Sequence, residues 1–230
     1  MSRDLRLHYA PDNASLVIRL ALLERGLPFE TVLVDRTSRA QDSETYRRIN
    51  PAGRIPALET NDGPIFETAA ILLWLSDRFG GLLPAPDAPD RGAALSWLFF
   101  LSNTLHADLR LMFYAERYTA DAAGLRASLA PQVTRSLNLL DAQVAQAAPW
   151  LGGDVPSPLD LYLCAMLRWC ALYPQGGTGW FRLGDFPGLR ALAIRTEARD
   201  SARIAAAAEG LGPRPFSAPQ PANPPEGSAL

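Results

Sequence analysis

Apolar residues recur along this chain with two different spacings, and the change of spacing divides it in two. In the first eighty residues the apolar runs are short and separated by turn residues. Leu5 to Tyr9 reads as a strand. Pro11-Asp12-Asn13 is a turn, and Asn13 or Ser15 is placed to cap a helix running to Arg25, closed by Gly26. Phe29 to Val34 is a second strand, rich in β-branched residues. Asp35 to Arg48 is dominated by charged residues and predicts an irregular stretch with a short helix. Two short strands separated by Asn61-Asp62-Gly63 follow, then an amphipathic helix from Glu67 to Arg78. A βαβ unit implies a parallel pair and the hairpin adds antiparallel strands, so residues 1–80 are expected to form an α/β domain.

Gly80 to Asp90 carries Pro84, Pro86 and Pro89 without periodicity, so 81–90 is a linker. From there to Leu211 the spacing is helical. Arg91 to Arg117 carries an apolar stripe of Leu98, Leu101, Leu105, Leu109 and Met112. Asp121 to Ala148 is a second helical segment that Pro131 is expected to kink or break. Ser157-Pro158-Leu159-Asp160 has the form of a capping box with proline at the first helical position, opening a helix through Trp169. That box assigns Asp160 to folding rather than to acid catalysis. Pro187 to Glu209 closes an all-helical second domain, 91–211, with a break near Arg199-Asp200. The prolines at 213, 215, 219, 221, 224 and 225 rule out regular structure, so 212–230 is expected to be a disordered tail.

Composition narrows the class. A net charge of −2 gives no global field toward nucleic acid or anionic membranes, and no basic stripe with interleaved aromatics appears. Among basic residues there are histidines and arginines but no lysine, which excludes Schiff-base catalysis through a lysine. Cys164 and Cys170 stand six residues apart on one predicted helix, off the three- or four-residue spacing of a shared face; they read as buried free thiols, with neither disulfide nor metal. Met-Ser-Arg-Asp lacks an apolar signal core and no apolar run is long enough to span a membrane. A cytoplasmic enzyme or binding protein is the expectation.

The most informative segment is Asn50 to Thr68. Pro56 heads a strand, where it cannot donate to a ladder, and Ile55-Pro56 is a candidate cis peptide. The Ile55 backbone is thereby left to pair with something outside the protein. Glu67 and Thr68 sit where a helix begins, and unpaired N–H groups there attract a carboxylate. An extended-peptide edge beside an anion site suits a small acidic peptide.

With these residues, the chain resembles the glutathione S-transferase family, from Leu5 through the proline-rich linker to about Leu211. Tyr9-Ala10-Pro11, Leu105-His106 and Leu167-Arg168-Trp169 resemble the bacterial beta-like class. The resemblance implies an α/β thioredoxin-like N-terminal domain that binds glutathione and an all-α C-terminal helical domain that supplies the acceptor pocket. It implies a cytoplasmic, homodimeric enzyme of detoxification, with glutathione as co-substrate and a small hydrophobic electrophile as acceptor. Glu67 and Thr68 would hold the glutamyl end, Arg54 the glycyl carboxylate and the Ile55 backbone before Pro56 the peptide. Where the beta-like class has cysteine this chain has Ala14, which removes thiol–disulfide exchange through that loop. Thiol activation then falls to Ser15, to an amide from Asn13 or to Tyr9. One charge-assisted hydrogen bond, worth roughly 1.5–3 kcal/mol, lowers a thiol pKa by about one to two units. The resemblance also places His106 toward the sulfur. Asn103, one helical turn earlier, is a candidate for the same face, and Arg110, Tyr114 and Trp169 are candidate pocket walls, with core packing the alternative for the aromatics. Two other readings share the fold: a glutathione-binding carrier without turnover, and a glutathione-dependent isomerase.

Overall fold

The structure, a computed structural model, describes residues 5–229. The Met-Ser-Arg-Asp start and the last residue of the 212–230 segment lie outside them. Strands β1 (Leu5–Tyr9), β2 (Phe29–Leu33), β3 (Ala57–Thr60) and β4 (Gly63–Phe66) form one sheet in the order β2-β1-β3-β4. β1 runs parallel to β2 with Leu5 opposite Phe29, and antiparallel to β3 with Leu7 opposite Leu58; β3 turns back onto β4. Leu5, Leu7 and Tyr9 point to one face, under helices α1 (Ser15–Glu24) and α3 (Thr68–Phe79). His8 points the other way, bonds Glu59 at 2.7 Å and tilts against Tyr46 of α2 (Glu44–Ile49). This is the thioredoxin-like arrangement that the element order implied.

The helical domain opens at Arg91. Its first helix is α4 (Arg91–Phe100), which widens into one π turn over Leu101–Leu105 and resumes as α5 (His106–Phe113). All five residues of the apolar stripe are buried. The wide turn absorbs one residue of register, a device often found beside functional groups. α6 (Ala122–Val144) runs unbroken past Pro131, contrary to the expected kink or break. α7 (Pro158–Leu172) is buried along nearly its whole length, and its start is the capping box: Ser157 Oγ accepts from the Asp160 N–H, while Asp160 accepts from Ser157 and Gly152. Cys164 and Cys170 are buried and unpaired, and burial pushes both thiols up. α8 (Pro187–Glu197) and α9 (Asp200–Glu209) close the domain, divided where the sequence indicated. No helix among the described residues is long and apolar enough to cross a membrane.

The expected disorder of the tail is corrected. Residues 212–229 lie along the junction of the two halves. Phe216 is buried, and Asn223 N–H bonds the Gly210 carbonyl at 2.8 Å. A Cβ at Gly210 would stand 1.9 Å from the Asn223 oxygen, so the crossing requires glycine. Prolines forbid ladders but leave every carbonyl as an acceptor. Arg168 uses them: it bonds the carbonyls of Leu211, Pro215 and Gln220, and grips Asp12 through Nε at 2.8 Å and Nη2 at 2.9 Å.

Replacing Arg168 by Met strands a buried carboxylate together with three carbonyls. It should lower unfolding stability by roughly 3–5 kcal/mol and deprotect amides of the tail. Denaturant titration with hydrogen exchange checks this; unchanged exchange between Phe216 and Asn223 would contradict the clamp.

Candidate active site

A cleft of about 930 Å³ opens between the two domains. Its floor on the N-terminal side comes from three turns. The β1–α1 loop brings Asp12, Asn13 and Ala14; the loop before β3 brings Arg54, Ile55 and Pro56; the β4–α3 turn brings Glu67 and Thr68. The helical side contributes His106, Arg110 and Phe113 from α5, Tyr114 just beyond it, and Tyr162, Trp169 and Tyr173 from α7 and its end.

The proline loop is held by Asn50 and Tyr46. Both donate to the Arg54 carbonyl at 2.7 Å, and the Asn50 side-chain oxygen accepts from Ala52. Ile55-Pro56 is cis, as proposed for an edge of this kind, and the Ile55 backbone has no partner among the described residues. Glu67 turns the chain at φ +70°, a region that L residues seldom occupy, and directs Thr68 into the start of α3. Glu67, at the N-cap, makes no side-chain capping bond, so its carboxylate is not consumed by the helix end.

His106 Nδ1 lies 2.6 Å from the Tyr162 hydroxyl, and its ring rests 5.3 Å from that of Trp169. Burial, followed by the positive charge of Arg110, pushes its pKa down to about 4. Burial also pushes the Tyr162 phenol well above its usual value, while Thr68 beside it acts in the opposite direction. A protonated phenol that receives from Thr68 and donates to Nδ1 assigns the imidazole proton to Nε2. The histidine is therefore a neutral donor at pH 7, not a cation.

Two expected sulfur ligands are elsewhere. Ser15 is fully buried, and its hydroxyl turns back into its own loop, donating to the Ala10 carbonyl at 3.0 Å and accepting from the Ala10 N–H at 3.3 Å. The N-cap is Ala14, not Asn13 or Ser15, and Ala14 is what faces the cleft. Tyr9 belongs to the core face of β1: its ring lies under Arg19 and its hydroxyl donates to Glu226. Burial, then Glu226, raises its pKa, so it stays protonated, and it is not among the residues lining the cleft. Asn103 is exposed and outside the cleft; the wide turn carries Ser102 there instead. Asn13 remains: its Oδ1 accepts the Ala14 N–H at 2.7 Å, leaving its NH₂ without a partner among the described residues.

Residues 14–78 match the family model described as glutathione S-transferase, N-terminal domain. Glutathione S-transferase GST-4.5 of Xanthomonas campestris is 31% identical over 170 residues, covering 72% of this chain and 82% of that protein. A sphingomonad glutathione S-transferase complexed with glutathione has a TM-score of 0.76 at 33% identity, covering 90% of this chain and 100% of the other. A beta class glutathione S-transferase from Sphingomonas chungbukensis gives 0.73 at 28% identity, covering 89% and 98%.

The chain belongs to the glutathione S-transferase family.

In this transferase the cleft brings together Asn13, Arg54, Ile55, Pro56, Glu67, Thr68 and His106, along with the three expected wall residues. It excludes Ser15 and Tyr9. Tyr162 and Tyr173 were missed from sequence, although Tyr162 lies seven residues before Trp169, two helical turns along the same face of α7. Arg36 and Arg117 were also missed: Arg36 comes from a loop whose path no local pattern fixes, and Arg117 from the short 3-10 turn Ala115–Arg117 beyond α5.

His106 sets a pH dependence. Its folded pKa is depressed, so the unfolded chain takes up the proton first, and the stability that depends on neutral His106 is lost as pH falls from about 6.5 toward 4. The loss should reach about 2–3 kcal/mol. Denaturant midpoints between pH 7.5 and 4.5 test this: His106→Gln should remove that part of the slope, and an equal slope in both proteins would refute the assignment.

Proposed function

We propose that this glutathione transferase activates the bound thiol by amide donation rather than through a hydroxyl or a cysteine. Glutathione lies along the Ile55 main chain, its glutamyl carboxylate at the Thr68 N–H and its ammonium group at Glu67. Arg54, exposed and unpaired among the described residues, takes the glycyl carboxylate. The observation that carries the reading is the placement of Asn13, with a free NH₂ group, next to Ala14 at the start of α1. Its donated hydrogen bond, the helix dipole and the Nε2–H of neutral His106 favour thiolate over thiol. The thiolate then attacks an electrophilic carbon of the second substrate. With Ala14 in the loop no mixed disulfide with the protein forms there, so conjugation is favoured over disulfide exchange. The carrier and isomerase readings gain no comparable support.

Asn13→Ala should raise the pKa of enzyme-bound glutathione by about one unit and lower kcat/KM about tenfold. Ser15→Ala should cost about 1–3 kcal/mol of stability by orphaning the Ala10 peptide groups while leaving that pKa in place. Thiolate absorbance titrated against pH in both variants is the measurement. A shift in Ser15→Ala with none in Asn13→Ala would overturn the assignment.

We further infer a cytoplasmic homodimer acting in detoxification. Phe66, at the end of β4, and Phe99, on α4, are large apolar side chains left exposed by the single chain, and they are the residues we place at the subunit interface. Light scattering on the purified protein should give twice the 25.0 kDa of one chain, and Phe99→Glu should shift it toward one. A wild-type mass of a single chain at micromolar concentration would refute this.

A further inference from the structure

The helical wall of the cleft is cationic where an apolar lining was expected. Three guanidinium groups gather around Tyr114. Arg36 Nη2 donates to its hydroxyl at 3.1 Å, Arg117 Cζ lies 4.5 Å from the ring centroid, and Arg110 Cζ lies 5.7 Å from it. All four residues line the cleft. Among the described residues, none of the three arginines has a carboxylate within ion-pair distance. Arg110 donates to the Tyr118 hydroxyl and Arg36 to the Ala229 carbonyl, both neutral acceptors.

The neighbouring acids are engaged elsewhere. Glu116 pairs with Arg126 at 2.6 Å, Asp108 accepts from Gln132 at 2.9 Å, and Asp35 folds onto the amides of Thr37 and Ser38. By contrast the arginines at structural positions, Arg19, Arg91, Arg168 and Arg199, each have a carboxylate partner. Three like charges around one ring repel one another, and the quadrupole of a tyrosine offsets only part of that. An anion placed among them would return the difference, and guanidinium forks match a carboxylate in two-point geometry. The depressed pKa of His106, to which Arg110 contributes, indicates that this field reaches the reacting side of the cleft.

We propose that the acceptor substrate is itself an acid: an electrophile carrying a carboxylate that Arg110 and Arg117 hold beside Tyr114, with Arg36 completing the cluster. This deepens the conjugation reading and rests on it. Arg54 across the cleft remains for the peptide, so the cluster is free for the second substrate.

The test pair is 4-chloro-3-nitrobenzoate and its methyl ester. In each, the glutathione sulfur bonds to the ring carbon, the carbon–chlorine bond breaks, chloride leaves and the thiol proton passes to solvent. Each kcat/KM is divided by the uncatalysed rate constant with glutathione, which removes intrinsic reactivity. The acid should be preferred about tenfold, the effect of one charge-assisted contact. The Arg110→Gln/Arg117→Gln double variant should lose that preference. Arg117→Gln alone, at an exposed residue whose guanidinium lies over the Tyr114 ring and has no carboxylate partner among the described residues, gives a partial loss without endangering the fold. A normalised ratio of one, or a ratio unmoved in the variants, overturns the proposal.

Calorimetry with saturating S-methylglutathione separates this from failure of the conjugation reading. Tighter binding of the acid than of the ester without turnover of either would sink conjugation and support the acid site. Equal binding would overturn the site. Two S-methylglutathione molecules per chain would assign the cluster to a second peptide and overturn the acceptor assignment.

Discussion

The buried pair between Asp12 and Arg168 is the contact on which the site depends. Asp12 lies in the β1–α1 loop of one domain and Arg168 in the middle of α7 in the other, and both side chains are fully buried. Such a pair is costly unless every remaining polar atom is satisfied. Here the carboxylate also accepts from the Trp169 indole at 3.1 Å and the Tyr173 hydroxyl at 2.7 Å, while the other Arg168 donors reach tail carbonyls. Arg19 and Glu209 form a second buried link beside it, with Glu209 also accepting the Asp12 N–H. One residue beyond Asp12 stands Asn13, and one residue beyond Arg168 stands Trp169, so the bond that docks the domains also sets the width of the cleft.

From that docking the chemistry follows. The loop presents Ala14 and a free amide from Asn13, because Ser15 has already entered the helix and its hydroxyl is spent on Ala10. The opposite wall presents an imidazole kept neutral by burial and oriented by Tyr162, which in turn lies beside Thr68 in the β4–α3 turn. On the proposed reading, the anion holder and the sulfur site are thereby joined through one chain of hydrogen-bonding groups, and donors already in place, rather than a titrating side chain, favour the thiolate.

The order of elements and the backbone of the proline loop and the Glu67-Thr68 turn were legible in the sequence because they are local. A proline at a strand head, a turn at Asn61-Asp62-Gly63 and a helix opening at Thr68 each fix backbone within a few residues. The same holds for the capping box of Ser157 and Asp160. What was not legible is where a side chain points once neighbours are fixed by tertiary contacts. The Ser15 hydroxyl had two outlets a single residue of helix register apart, and Tyr9 could face the cleft or the core. The tail misled for a different reason. Its prolines do exclude regular structure, but the contacts that hold it come from residues far upstream, Arg168 and Glu197 foremost, and composition carries no trace of such partners.

The cationic wall shows the limit of reading charge globally. A net charge of −2 excluded a chain-wide basic field, and it does so correctly. Screening confines electrostatics to about 8–10 Å in physiological salt, so what a ligand meets is the local balance of the surfaces it touches. The neighbouring acids Glu116, Asp108 and Asp35 are spent on Arg126, on Gln132 and on turn amides, leaving Arg36, Arg110 and Arg117 without an ion-pair partner among the described residues. Hydrophobic wall residues remain there, Phe113 and Trp169 among them. On the proposed reading, a pocket with aromatic wall residues and a guanidinium rim selects for a molecule that has both an apolar ring and an acid, and disfavours one that has only the ring.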